Sequence, residues 1–128
     1  MGSAINIREA YLPGTTPIDS YGNGGFSFAK MSHKGSIICL PSGIYSWSPT
    51  SCNFTIEMLD RVFLEADQIE ILLLGTGKEL HPVNNELKKQ LQKFNISADA
   101  MNTGAAVRTY NVLLAEDRAV AAAFYAVD

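Results

Sequence analysis

Arg108 is the residue least easily assigned to packing. It sits one turn into a predicted helix within Asp99–Glu116, DAMNTGAAVRTYNVLLAE. A cation near the positive end of the helix dipole is unfavourable, so a compensating negative charge is expected. Asp99 or Glu116 could supply it as a structural salt bridge, and so could a bound anion; both readings stay open. Asn111 follows three residues later on the same helix face. Upstream, Asn102-Thr103-Gly104-Ala105-Ala106 opens the helix, with Thr103 as the expected cap. The small residues leave the first backbone N–H groups approachable, as an anion site requires. They suit close packing of helix on sheet equally well.

A second polar element is Gly75-Thr76-Gly77, which ends an apolar run. Ligands of α/β folds bind at the carboxyl ends of strands. The loop is no dinucleotide fingerprint, because Leu80 stands where a third glycine belongs and Pro82 delays the next helix. Nor is it a phosphate-binding loop of the lysine-serine or lysine-threonine type. It reads either as a tight turn or as part of a ligand cleft. The candidate set is therefore Gly75, Thr76, Gly77, Thr103, Gly104, Arg108 and Asn111.

Other reactive side chains form no constellation. His33 and His81 occupy turn-like contexts and are expected at the surface. Cys39 lies in an apolar run and Cys52 in a polar loop. Two such cysteines make neither a disulfide framework nor a zinc ligand set. No nucleophile elbow or paired carboxylates near a histidine can be found. The expectation is no catalytic residue, no metal and no cofactor, with Trp47 a core or interface anchor.

These residues need elements to position them. Ala4–Ala10 alternates weakly as a strand does. A glycine-rich turn at 21–25 leads into Phe26-Ser27-Phe28, and further strands are predicted at Ser36–Leu40 and Ile44–Trp47. The period then lengthens. Ile56, Leu59, Val62, Phe63 and Ala66 predict a helix begun by Thr55 and Glu57. Ile69–Leu74 reads as a strand covered on both faces. Asn84 caps a second helix with Leu87, Leu91 and Phe94 as its buried stripe. Ile96–Met101 is a strand with Ile96, Ala98 and Ala100 on one side. The third helix spans about Thr103–Ala115, with Ala106, Tyr110, Leu113 and Leu114 inward, and Ala119–Val127 is the last strand. Alternation of helix and strand predicts one three-layer α/β domain over residues 1–128. Its centre is a mixed, mostly parallel sheet, and the first third adds a small β-layer.

Bulk properties narrow the partners. The net charge is −3, and Lys88-Lys89 is the sole adjacent basic pair. Nucleic-acid binding would need a basic face. The apolar runs are too short to span a membrane, and Met1–Arg8 holds no signal-peptide core. A cytoplasmic protein with no nucleic-acid partner and no membrane insertion is expected. Residue identity leaves the oligomeric state open.

Three stretches carry a resemblance. They are Leu74-Gly75-Thr76-Gly77, Met101–Leu113 (MNTGAAVRTYNVL) and Ala115–Ala122 (AEDRAVAA). They resemble a widespread family of uncharacterised small proteins whose mitochondrial member is complex I assembly factor 3. The likeness implies a three-layer α/β fold with a mixed sheet, and no established reaction. For the mitochondrial member it implies assembly of the respiratory NADH dehydrogenase through another assembly factor and complex subunits. For bacterial relatives, often encoded beside protein-export machinery, it implies work near a membrane without insertion. Val107 stands where some relatives carry cysteine, so no catalytic thiol exists at that position. Asn102 stands where the pattern often has aspartate, which removes one partner for Arg108.

Two functions follow as expectations. The first is a non-enzymatic interaction or assembly factor for a respiratory or other membrane-associated complex, with protein partners. The alternative is a small-anion binder or an enzyme of unknown reaction using the cleft near Gly75–Gly77 and Arg108.

Overall fold

The computed structural model describes residues 12–128. The strand expected at Ala4–Ala10 lies outside them. A six-stranded sheet forms the middle layer. Its strands are β1 (Leu12–Pro13), β5 (Ser36–Leu40), β6 (Gly43–Trp47), β7 (Ile71–Gly75), β8 (Ser97–Met101) and β9 (Val120–Phe124), in spatial order β1-β6-β5-β9-β7-β8. A separate antiparallel meander holds β2 (Ser20–Gly22), β3 (Gly25–Phe28) and β4 (Met31–Lys34).

The main sheet is mixed, as expected, but parallel pairing is confined to β8-β7 and β7-β9. The pairings β1-β6, β6-β5 and β5-β9 are antiparallel, which corrects the mostly parallel expectation. The reason is local. β5 and β6 are joined by a tight turn at Pro41-Ser42, with Leu40 paired to Gly43, and so short a connection permits only antiparallel strands. Parallel neighbours need long crossovers. Here they are helix α2 (Asn85–Lys93), between β7 and β8, and helix α3 (Thr103–Ala115), between β8 and β9.

Each face of the sheet has its own core. On one side Ala106, Val107 and Tyr110 of α3 and Phe26 and Phe28 of the meander pack on Leu73, Ala122 and Phe124. On the other, Leu59 and Val62, with Leu87 and Leu91 of α2, cover Leu72, Leu74, Ala121 and Ala123. The alanines of β9 are fully buried, so both layers approach the central strand closely.

Two helix expectations are revised. The first helix is a 3-10 turn at Glu57–Leu59, a short α1 (Asp60–Leu64) and another 3-10 turn at Ala66–Gln68. Phe94 is not in the buried stripe of α2: it is 43% exposed and ends the helix beside Phe63, ring centroids 5.5 Å apart. The capping role of Asn84 stands, its side chain accepting from the N–H groups of Glu86 and Leu87. Trp47 is half-buried, stacked edge-on to Phe54 and hydrogen-bonded to the Met58 carbonyl.

Candidate functional site

The carboxyl ends of β7, β8 and β9 meet the start of α3 in a closed set of hydrogen bonds. Thr103 is completely buried. Its hydroxyl accepts from the Gly77 N–H (2.9 Å) and donates to the Tyr125 carbonyl (2.7 Å). Its own N–H donates to the Gly77 carbonyl at 2.8 Å. Thr76 does similar work inside the loop. Its hydroxyl donates to the Glu79 carbonyl (2.6 Å), lies 3.2 Å from the Met101 carbonyl and accepts from the His81 N–H (3.1 Å). Both hydroxyls are thus spent on tying the strand ends together. The expected cap is corrected as well: Asn102 caps α3 by accepting from the Ala105 N–H, and Thr103 is the first helical residue.

Gly75 answers to packing. A Cβ there would lie 3.2 Å from the Ala106 Cβ, the Phe124 ring and the Thr103 Cα. Gly104 answers to a different neighbour. A Cβ at Gly104 would overlap the Tyr21 hydroxyl and lie 3.5 Å from Nη1 of Arg108. The meander thus lays Tyr21 across the first turn of α3, with the Arg108 guanidinium beside it.

The seven candidate residues do not converge on one cleft. Gly75, Thr76, Gly77 and Thr103 form the closed set at the strand ends. Gly104 and Arg108 face Tyr21. Asn111 clamps Ile18, accepting from its N–H and donating to its carbonyl, both at 2.9 Å. Arg108 is exposed and forms no ion pair among the described residues, so neither Asp99 nor Glu116 compensates it.

A cleft of about 440 Å³ does open where β7 and β9 end, lined in part by Gly77, Lys78, His81, Cys52 and Tyr125. Cys52, Lys78 and His81 are not among the seven candidates. They come from the loops that follow β6 and β7, the place where strand ends of α/β folds hold ligands. Position relative to the strands was the signal for them; residue type was not. Among the described residues no cluster of three His, Cys, Asp or Glu side chains could hold a metal ion.

Two buried groups are strongly perturbed. Burial pushes the Cys39 thiol up, and a hydrogen bond with Tyr110 opposes this only in part. Burial also pushes the Tyr110 phenol up, reinforced by Cys39. His33, expected at the surface, is only 6% exposed.

The Protein of unknown function (DUF498/DUF598) family model matches residues 18–125. The chain belongs to this family. The match begins at Ile18, which α3 holds through Asn111, and ends at Tyr125, which α3 holds through Thr103. The DUF498/DUF598 domain is thus fastened at both limits to one helix. An uncharacterised protein from Rhodobacter capsulatus is 33% identical over 91% of this chain and 89% of its own length. The NADH dehydrogenase [ubiquinone] 1 alpha subcomplex assembly factor 3 of Danio rerio is 31% identical over 94% of this chain and 70% of its own. The crystal structure of an outer membrane protein from Bartonella henselae superposes with a TM-score of 0.89 at 61% identity, covering 91% of this chain and 98% of that one. No helix among the described residues of the present chain is long and apolar enough to cross a membrane.

Proposed function

We propose that this DUF498/DUF598 domain is a protein-binding assembly factor that performs no chemistry of its own. The observation that carries this reading is the 31% identity to an NADH dehydrogenase assembly factor over 94% of the chain. The geometry supports it, because the hydroxyls best placed for a ligand, Thr76 and Thr103, are consumed within the fold. The proposed partners are subunits or assembly factors of a respiratory or other membrane-associated complex. The proposed setting is cytoplasmic, without membrane insertion or nucleic acid, in keeping with a net charge of −3. Chemical crosslinking of the tagged chain in its native cell, followed by mass spectrometry, tests this. The expected result is recovery of such subunits in reproducible crosslinks. Recovery of none of them would count against the proposal.

One observation favours a second reading. Arg108 has no carboxylate partner among the described residues and stands beside the N-terminal turn of α3. The reading is a small-anion site at that turn, drawing on Gly104 and Arg108 with the Gly75–Gly77 loop nearby. Phosphate titrated against the labelled protein should shift the Gly104 amide, and Arg108→Gln should abolish the shift. An unmoved amide would eliminate this reading.

A further inference from the structure

The six-stranded sheet ends at β8, which among the described residues pairs only with β7. The Ser97 N–H donates to the Glu70 carbonyl, and the Met101 carbonyl accepts from the Thr76 N–H. Parallel pairing alternates along a strand, so Ser97, Asp99 and Met101 spend their backbone groups on β7. Ala98 and Ala100 direct theirs to the open edge. An edge strand with unpaired N–H and C=O groups is a template for another chain unless lysine, proline, a bulge or a covering element blunts it. β8 reads Ser-Ala-Asp-Ala-Met, with no lysine or proline, and among the described residues no strand covers its outer side. Its one charge is Asp99, exposed and without an ion-pair partner among the described residues.

Asp99 also selects the occupant. A second copy added antiparallel about a two-fold axis, paired along the whole strand, would set Asp99 directly opposite its own counterpart. Like charges so placed are destabilising, whereas an opposite charge is favourable. We propose that the open edge of β8 takes up an extended segment of another protein by strand addition, with a lysine or arginine opposite Asp99. Backbone groups of Ala98 and Ala100 supply the pairing, and the small alanine side chains leave the approach unobstructed. On the α3 side the incoming strand meets Met101 and Thr109, whose hydroxyl lies 3.6 Å from the Met101 sulfur. The proposal deepens the assembly-factor reading by naming the surface and the chemistry of its partner.

The test uses the whole chain and two capped seven-residue peptides of alternating valine and threonine, one with a central lysine and one with a central glutamate. Hydrogen exchange at the Ala98 and Ala100 amides should slow on adding the lysine peptide. Its affinity should exceed that of the glutamate peptide by about two- to fivefold, as expected of one cross-strand charge pair. Asp99→Lys should invert that order. Ala100→Pro removes an outward N–H without touching the β7 ladder, as edge strands tolerate, and should abolish the slowing. Unchanged exchange at Ala98 and Ala100 would overturn the proposal. So would slowing confined to β2 or β4, an unaltered peptide order in Asp99→Lys, or peptide-free protection of β8 that rises with protein concentration. Crosslinks to complex subunits with a failed peptide test would discard this edge and keep the assembly-factor reading.

Discussion

The Asn111 carboxamide closes a ring with the backbone of Ile18, ninety-three residues away in sequence, using its oxygen and its nitrogen at 2.9 Å each. The arrangement fastens the segment that leads into β2 onto α3. It therefore fixes where Tyr21 falls on Gly104. The clamp explains a polar residue on the meander side of α3 without invoking a ligand. Asn111→Ala should cost about 1–3 kcal/mol, the usual penalty for stranding buried backbone groups. Urea unfolding would measure the loss, and hydrogen exchange should show it concentrated in β2 and β3. A variant as stable as the parent would mean that water replaces the clamp at no cost.

Gly75 gives a second prediction. A Cβ at this position would lie 3.2 Å from atoms of Ala106, Phe124 and Thr103, and all three belong to packed elements. None of them is the free end of a flexible side chain. Gly75→Ala should overpack this junction and cost about 1–3 kcal/mol, read as a lower midpoint with unchanged slope in urea. A neutral result would show that α3 can lift from the sheet. That would reopen the case for a ligand space there.

Much of this architecture was legible from local pattern. The Asn84 cap, the bounds of α3 and the Ile96-Ala98-Ala100 face depend on residues a few positions apart, which periodicity and capping chemistry reach. What stayed hidden depends on distant partners. Thr103 looked like a cap because its hydroxyl suits one, but Gly77 and Tyr125 claim it from just beyond the ends of β7 and β9. β4 reads Met-Ser-His-Lys, with no apolar alternation to announce a strand, so His33 appeared to lie in a turn. The candidate cluster dispersed for the same reason. Arg108 and Asn111 do share a helix side, but Ile18 takes up Asn111 while Tyr21 lies against Gly104 one turn before Arg108, and no spacing rule places Tyr21 or Ile18 there.

The two cysteines should differ sharply in reactivity. Cys39 is fully buried, and its thiol is held well above the ordinary range by that burial. Cys52 is half-buried and lines the cleft at the strand ends. The thiolate is the nucleophile, so its attack on an added disulfide reagent follows exposure and ionisation together. The native chain should consume one equivalent of a thiol reagent such as DTNB at neutral pH, and Cys52→Ser should consume none. Once denatured, each should consume one further equivalent, at Cys39. Rapid loss of two thiols from the native chain would contradict the burial of Cys39.

His33 gives the stability of the fold a pH dependence whose sign can be worked out. Its Nε2 is buried without a hydrogen-bond partner. Burial lowers its pKa below the usual 6.5, and a hydrogen bond with the Ser36 backbone opposes this only in part. The folded state therefore resists a proton that the unfolded chain accepts at its ordinary pKa. As pH falls through that value the unfolded state binds more protons, so stability is full above it and declines below. One such group contributes a slope of at most about 1.4 kcal/mol per pH unit. The imidazole stands opposite Phe26 on the meander, so weakening should begin in β2–β4. Urea midpoints at pH 7.5 and 5.5 should differ in the parent and differ less in His33→Phe. Native-state exchange of the β2–β4 amides in the parent gives the same answer if that variant folds poorly. Equal pH dependence in parent and variant, or exchange in β2–β4 that ignores pH across this window, would assign the titration to other groups.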